Sequence, residues 1–172
     1  DRICSYRNLF FNNERRFKHY DLGYNGRMTN IQAALGLAQL ENIEKNIAIK
    51  RLIGNEYQKH LKDIKNIILP IKEYEYAENI YWVFGVLLTD RNYRYMKEIV
   101  DKLKQRGVGT RPFFWPLHLQ PVLEKYNLKI DENACPNASH ISDRGFYLPS
   151  GLGLHIDEVK ETMEGIYKSR TK

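Results

Sequence analysis

The chain has 172 residues, of which 42% are hydrophobic and 28% are charged, a balance that is ordinary for a globular domain with its own core. No apolar run approaches the ~20 residues that a membrane span needs, so the composition argues against a membrane protein. The formal net charge is +6, but the basic residues are spread among acidic ones, which favours a solvated surface over a nucleic-acid interface.

The first 28 residues show neither a helical nor a strand period, and we predict them to be irregular. They open on Asp1 and Arg2, without a methionine and without an apolar leader, which predicts a fragment or processed chain that carries no signal peptide. The two cysteines, Cys4 and Cys135, are too few for a disulfide framework, so we expect a reducing, cytoplasmic location.

A long helix is predicted from residue 29 to residue 61. Thr29 followed by Gln32 fits a capping box, in which the two side chains and the two backbone N–H groups bond reciprocally. Apolar residues then recur near a helical period as far as Leu61. The first half is rich in alanine, so another helix or a sheet can approach it closely.

Downstream, short strands alternate with helices. The pattern predicts a polar linker at residues 74–79, strands at residues 67–69, 81–88, 108–111 and 146–148, and helices at residues 90–106, 134–144 and 156–168. Because the connections between several strands are short, we predict an α+β fold with a small, mostly antiparallel sheet and helices packed on it.

Two loops have unusual side chains for simple connections. The first, "GYNGR", places Asn25 and Arg27 directly before the predicted helix, and the second, "RPFFWPLHLQP", has three prolines and three consecutive aromatic residues, which predict a rigid loop. Each has an ordinary alternative: Asn-Gly is a common turn dipeptide, Arg27 could pair with a carboxylate, and Phe113 and Trp115 could belong to the core. Tyr147 is assigned to the core, with Ser150 as a further candidate contact.

Other chemistry finds no support in the sequence. The five histidines have no metal-ligand spacing with cysteines or carboxylates, so no metal site is predicted. No phosphate-binding P-loop and no dinucleotide fingerprint occurs, and neither cysteine has a suggested histidine partner.

The stretches "GYNGRMTNIQAALGLAQLE", "GVGTRPFFWPLHLQP" and "SDRGFYLPSGLGL" together resemble the C-terminal part of the DegT/DnrJ/EryC1/StrS family of pyridoxal-phosphate-dependent nucleotide-sugar aminotransferases. The resemblance covers nearly the whole chain. It implies the small C-terminal domain of a fold-type I aminotransferase. Residues 1–28 would form an interface and active-site loop region, residues 29–61 an interdomain helix and residues 62–172 the small domain, with the large cofactor-binding domain absent from this chain.

The same resemblance implies roles for individual residues. Asn25 would bind the phosphate of pyridoxal phosphate in the neighbouring subunit of a homodimer, and the substrate would be contacted by Arg27, Arg111, Phe114 and His118. Two departures from the family pattern are visible: Gly26 stands where an aromatic residue is usual, and the pattern commonly has a glycine near Phe10.

The family's Schiff-base lysine, in a Ser-Phe-x-x-x-Lys-like turn, has no counterpart here. We therefore expect no catalytic residue in this chain, which alone should be inactive. The implied reaction of the full-length protein converts a nucleotide-linked 4-keto-6-deoxy sugar to its 4-amino sugar, with glutamate as amino donor and no nucleic-acid or membrane partner.

Three alternatives stay open at this point. The chain could be a truncated, non-catalytic domain that only associates with a partner subunit, or a fragment of a related sugar 3-dehydratase in which histidine replaces the lysine. It could also be a basic nucleic-acid-binding α+β domain, for which the signature would be strongly salt-dependent binding.

Overall fold

The computed structural model describes residues 2–11, 15, 17–89, 93–128, 130–131 and 133–170. They form two compact units, Asp1–Glu44 and Lys45–Lys172. In chain order the elements are α1 (Arg2–Arg7), α2 (Asn30–Glu41), α3 (Ile43–Leu61), β1 (Ile67–Ile68), β2 (Glu73–Tyr74), β3 (Ala77–Glu78), β4 (Phe84–Leu88), α4 (Tyr93–Gln105), β5 (Arg111–Pro112), a 3-10 turn (Leu117–Leu119), α5 (Pro121–Lys125), α6 (Pro136–Arg144), β6 (Gly145–Leu148) and α7 (Ile156–Arg170).

The first unit holds its polar loop against the segment that follows α1. The Tyr24 N–H donates to the Tyr6 carbonyl at 2.7 Å, and the Gly26 N–H donates to the Arg7 carbonyl at 2.9 Å. Gly23 lies so close to this segment that an added Cβ would be 2.5 Å from the Leu9 carbonyl carbon. The region predicted to be irregular therefore contains one short helix and a backbone clamp, which neither periodicity nor turn chemistry had indicated.

Helix α2 begins as the sequence predicts. Thr29 is its N-cap, and both halves of the capping box with Gln32 are present. The single long helix predicted over residues 29–61 is wrong in one respect, because the chain turns at Asn42 between α2 and α3. The Asn42 N–H bonds to the Gln39 and Leu40 carbonyls, and its side-chain amide donates to the Ala38 carbonyl at 3.0 Å, so the asparagine caps α2 before the helical path resumes.

The second unit is built on a four-stranded sheet with the strand order β1-β4-β6-β5. All its pairings are antiparallel, and Phe84 to Leu87 lie opposite Leu148 to Gly145. The predicted α+β fold with a small antiparallel sheet is confirmed. The two edge strands, β1 and β5, have two residues each.

One face of this sheet carries the core. Phe84, Val86 and Leu88 alternate inward along β4, because successive side chains of a strand point to opposite faces. Helical residues cover them, and the largest fully buried ones are Ile53, Tyr57, Leu61, Ile99, Leu103 and Ile166.

The opposite face of the sheet is aromatic. Gly85 and Gly145 lie under the ring of Phe113, and a Cβ at Gly145 would be only 1.8 Å from Phe113 Cδ2. Tyr147 is half-buried on this face and packs edge-on against Phe113, with ring centroids 4.4 Å apart. The core position assigned to Tyr147 from the sequence is therefore wrong, because its register in β6 points it away from the buried face.

Other differences from the predicted elements are local. The polar linker of residues 74–79 belongs to a hairpin of β2 and β3, whose strand residues are all exposed, so the strands lack an alternating apolar signal. The start of the predicted helix at residues 90–92 lies outside the described residues, and α4 spans Tyr93–Gln105. The predicted rigid loop includes β5, the 3-10 turn and α5.

None of the helices in the described ranges combines the length and the apolar character that a membrane crossing requires.

Candidate functional site

The loop before α2 pairs the two predicted polar residues with each other. The Arg27 Nε–H donates to Asn25 Oδ1 at 3.1 Å, and both side chains are exposed. Within the described residues Arg27 therefore bonds to an amide rather than to a carboxylate. The clamp fixes the backbone beneath them, since Asn25 pairs in an antiparallel bridge with Asn8.

This pair has the donor set that a phosphate requires. With its oxygen occupied by Arg27, the Asn25 side chain has its NH₂ group left to donate, and no described residue accepts from it. The terminal nitrogens of Arg27 likewise have no acceptor among the described residues. Amide and guanidinium donors favour an oxyanion, and the nearby N-terminus of α2 adds partial positive charge. These residues fit a cofactor phosphate.

The two departures from the family pattern have visible neighbours in this loop. A Cβ at Gly26 would come within 3.2 Å of Arg7 Cγ, so an aromatic residue here would require the flexible Arg7 side chain to move. Near the position where a glycine is common, Leu9 and Phe10 adopt φ angles of 60° and 54°. Such left-handed angles favour glycine, so this chain tolerates local backbone strain there.

A second candidate site lies on the aromatic face of the sheet. An open groove of about 570 Å³ runs along Phe113, Phe114, Trp115, Leu117, Ile141 and Tyr147. Phe114 is 75% exposed, with its ring centroid 6.3 Å from that of Tyr147. Trp115 is also exposed, and its indole N–H donates to the Leu119 carbonyl at 2.9 Å. These rings therefore lie outside the core and can stack on a planar ligand.

A second cleft of about 430 Å³, lined by apolar and polar residues, adjoins the aromatic groove, and Tyr147 contributes to the walls of both. The cleft holds Arg111, which lies opposite Tyr147 in the register of β5 and β6, together with Thr110 and Ser150. The predicted residues Arg111 and Phe114 are thus brought to neighbouring sites on one face.

Helix α3 holds the rim of this cleft. Lys50 Nζ donates to the Trp82 carbonyl at 2.8 Å, to Ser150 Oγ at 3.2 Å and also to the Ser150 carbonyl. The Tyr57 hydroxyl donates to the Pro149 carbonyl at 2.9 Å. Burial lowers the pKa of Lys50, because its ammonium is partly removed from water.

His118 takes a different position from Arg111 and Phe114. Its Nε2 lies 3.1 Å from the Ser139 hydroxyl of α6, and its side chain lines a separate depression with Gln120 and Leu128. Ser139 also approaches the Cys135 carbonyl at 3.4 Å. When the Ser139 hydroxyl donates to the Cys135 carbonyl, its oxygen accepts a hydrogen bond from Nε2–H of His118. The other imidazole nitrogen, Nδ1, then remains available as an acceptor.

Sequence reasoning missed Lys50 and underrated Tyr147 and Ser150. Lys50 and Ser150 are 100 residues apart, so no local pattern links them. Predicting that β5 pairs with β6 in antiparallel register would have placed Tyr147 beside Arg111 and so identified it as a site residue. Among the described residues no group of three or more His, Cys, Asp or Glu side chains could hold a metal ion.

Residues 1–167 match the DegT/DnrJ/EryC1/StrS aminotransferase family, and the chain belongs to this family. Aminotransferases of this family depend on pyridoxal phosphate.

Among its relatives, the chain is similar to two GDP-perosamine synthases. That of Vibrio cholerae is 34% identical over 147 residues, which are 86% of this chain and 39% of the relative. That of Escherichia coli O157:H7 is 35% identical over 152 residues, which are 88% of this chain and 39% of the relative. The chain thus spans about two fifths of the length of these relatives.

The fold is also similar to solved structures. S. venezuelae DesV, crystallised in complex with a ketimine intermediate, superposes with a TM-score of 0.81 at 20% sequence identity. The match covers 98% of this chain and 43% of that one.

Proposed function

We propose that the protein carrying this sequence is a pyridoxal-phosphate-dependent aminotransferase of nucleotide sugars, similar to perosamine synthases. It converts a nucleotide-linked 4-keto-6-deoxy sugar to its 4-amino sugar, with glutamate as amino donor. The observation that carries the proposal is the Asn25–Arg27 pair, a set of unused donors held on a clamped loop in front of α2. The similarity to two GDP-perosamine synthases supports the choice of substrate class.

In this proposal Asn25 donates its amide hydrogens to the cofactor phosphate in the neighbouring subunit of a homodimer. Arg27 orients that amide through its 3.1 Å bond and directs its remaining N–H groups toward the substrate. Pyridoxal phosphate, when bound, supplies the electron-withdrawing ring through which an amino group passes between two substrates. The loop therefore contributes binding and orientation, which the clamp to α1 and the segment after it makes rigid.

The substrate contacts are assigned to the aromatic face and its neighbourhood. Phe114 stacks on a planar or sugar part of the substrate, and Arg111 binds an anionic part. His118 hydrogen-bonds a sugar hydroxyl through the imidazole nitrogen that Ser139 leaves free.

The domain arrangement is part of the same proposal. Residues 1–28 act as the interface and active-site loop, residues 29–61 as the interdomain helix and residues 62–172 as the small domain. The boundary between the two compact units falls within the helical segment, which supports its interdomain place. The exposed thiols of Cys4 and Cys135 support a reducing, cytoplasmic location.

Two measurements test the proposed function. The full-length protein, incubated with GDP-4-keto-6-deoxymannose and glutamate, is expected to form the 4-amino sugar and 2-oxoglutarate in equal amounts. The 172-residue chain alone, mixed with excess pyridoxal phosphate and gel-filtered, is expected to retain no visible cofactor absorbance. Loss of water from the sugar without consumption of glutamate would favour the dehydratase alternative. Failure both to aminate and to dehydrate GDP-, dTDP- and UDP-linked keto sugars would contradict the proposed activity and favour the non-catalytic alternative.

A further inference from the structure

We infer that the cleft between β5 and residues 149–151 binds an oxyanion of a substrate, with the Arg111 guanidinium and the Ser150 hydroxyl as its donors. The inference deepens the proposed function and rests on it for the identity of the ligand. The oxyanion is either the diphosphate of the nucleotide sugar or a carboxylate of the amino donor, because both present the same acceptor chemistry.

The first argument is an account of the hydrogens around Ser150. Lys50 Nζ has three oxygen partners, namely the Trp82 carbonyl, the Ser150 carbonyl and Ser150 Oγ. An ammonium has three N–H donors and no acceptor, so Ser150 Oγ must accept from it. The Ser150 hydroxyl hydrogen is then left to donate, and no described residue accepts it. A hydroxyl that already accepts from an ammonium is a polarised donor, which suits an anion.

The second argument concerns charge. All three partners of Lys50 are neutral oxygens, and no described carboxylate pairs with Lys50 or with Arg111. The other lining residues of the cleft are Val83, Gly109, Thr110, Tyr147, Leu148, Pro149 and Gly151, none of them acidic. Burial raises the pKa of the Tyr147 hydroxyl, which keeps it neutral. The cleft therefore contains the positive charge of Arg111 and no negative charge, and Lys50 adds a second cation in contact with Ser150, an arrangement that an incoming anion compensates.

The third argument concerns space. The cleft is about 430 Å³, and a Cβ added at Gly109 or Gly151 would meet nothing within 4 Å. The cleft wall is thus open at these two glycines. Since Tyr147 also borders the aromatic groove, a ligand with its anionic group beside Arg111 can lay an adjoining planar part along Phe114.

Amide NMR titration of the ¹⁵N-labelled 172-residue chain tests the site without any transamination. Inorganic pyrophosphate represents the diphosphate source, and glutarate represents the carboxylate source. We expect shifts concentrated at the amides of Gly109, Ser150 and Gly151. Arg111→Gln should weaken binding about ten- to a hundredfold, the range for losing a charge-assisted hydrogen bond. Ser150→Ala should weaken it about three- to tenfold.

Arg94→Gln is the matched control, because Arg94 is an exposed arginine of α4 whose Nε lies 3.8 Å from Glu98. It should bind both probes like the unaltered chain. Tighter binding of pyrophosphate assigns the cleft to the nucleotide, and tighter binding of glutarate assigns it to the amino donor.

The inference is overturned if neither probe shifts the cleft amides, or if Arg111→Gln binds as tightly as Arg94→Gln while its other amide shifts remain unchanged. Arg111→Lys keeps the charge and serves as a second variant should the glutamine variant misfold. The result is separable from the proposed function. If the full-length protein transaminates but the 172-residue chain binds neither probe, only the oxyanion site in the cleft is refuted. If the chain binds a probe but the full-length protein does not transaminate, only the proposed function is refuted.

Discussion

Asn25 offers the most direct test of the proposed cofactor contact. In the full-length protein, Asn25→Ala would remove the proposed hydrogen bond to the cofactor phosphate, worth roughly 1.5–3 kcal/mol for a bond to a charged group. Cofactor affinity should fall about ten- to a hundredfold, as measured by equilibrium dialysis. Folding should be unchanged, because Asn25 is exposed. Asn55→Ala, at an exposed position of α3, is the control and should retain the cofactor fully.

The position of Asn25 in the partner's site can be tested by mixing subunits. A subunit with Asn25→Ala is combined with one that lacks the Schiff-base lysine, which the proposed function requires in the part of the protein outside this chain. In the heterodimer one site carries both defects and the other carries neither, so part of the activity should return. Heterodimers that form and stay inactive would place Asn25 in its own subunit's site.

Gly54 packs closely against the buried side chain of Tyr81. A Cβ at this position would be 2.2 Å from Tyr81 Cδ2, and Tyr81 is buried against Phe84 with a φ of 49°. We expect Gly54→Ala to lower the free energy of unfolding by about 2–3 kcal/mol, the upper range for overpacking. Chemical denaturation followed by near-ultraviolet circular dichroism measures this change.

Gly36→Ala is the opposite case, because a Cβ in this part of α2 meets nothing within 4 Å. It should raise helix stability by about 0.5–1 kcal/mol. A Gly54→Ala chain with an unchanged denaturation midpoint would show that the Tyr81 ring can move.

Tyr57 makes the second unit sensitive to alkaline pH. Burial raises the pKa of its hydroxyl to about 12. Below pH 10 the group is protonated in both the folded and the unfolded state, whereas between pH 10 and about 12 only the unfolded state loses the proton. Stability should therefore fall with rising pH in this window, by about 1.4 kcal/mol per unit.

Tyr57→Phe tests this sign. At pH 7 it should cost about 1 kcal/mol for the lost bond to the Pro149 carbonyl. Its stability should then decline less than that of the unaltered chain from pH 10 to 11, as measured by urea denaturation at each pH. Parallel declines in both chains would show that Tyr57 does not cause the alkaline loss; Tyr81 and Tyr147, whose hydroxyl pKa values are also raised by burial, would be tested next.

At the scale of one element, α2 depends on local signals because it has no buried residue. Thr29→Ala removes the side-chain acceptor of its capping box and should destabilise the helix by about 1 kcal/mol. Cα chemical shifts and amide exchange over Asn30–Glu41 measure the effect. Thr29→Ser keeps the acceptor and should leave the exchange rates nearly unchanged. Equal protection in the alanine variant would show that tertiary contacts, rather than the cap, maintain α2.

The elements that the sequence predicted are those with strong local signals. The start of α2 followed from Thr29 and Gln32, and β4 followed from a continuous apolar run. The hairpin of β2 and β3 could not be predicted in this way, because its strands are wholly exposed and have no buried face. The turn at Asn42 depends on one side chain capping the end of α2, which periodicity cannot detect.

The candidate sites divide along the same line. Asn25 and Arg27 are two residues apart, so their sequence already placed them together. Phe114 and Arg111 were singled out from one loop, but the cleft beside Arg111 is also lined by Ser150, whose side chain accepts from Lys50. Their contact spans 100 residues and exists only once α3 packs beside the loop after β6. Long-range juxtaposition of this kind is a product of the fold.

For the whole molecule, the exposed apolar residues of α2 predict association. Ile31, Leu35, Leu37 and Leu40 are each more than half exposed, a concentration of apolar surface that usually marks an interface. We expect the 172-residue chain to self-associate and to bind a hydrophobic dye. Leu37→Lys should shift it toward the monomer in sedimentation velocity. Gln39→Lys adds the same charge at a polar position of the helix and should not. A monomeric unaltered chain at high concentration would contradict this expectation.

The edges of the four-stranded sheet limit how one chain can associate with another. The strand β1 is two residues long and is followed closely by Pro70, while β5 is equally short and contains Pro112, which has no N–H to offer another strand. Short edges that carry proline are poor templates for adding a strand from a neighbouring molecule. Chains that meet are therefore not expected to pair through this sheet, and association through the exposed apolar residues of α2 should reverse on dilution. Amyloid-like fibrils, which grow by backbone pairing at open edges, have no starting point on this sheet.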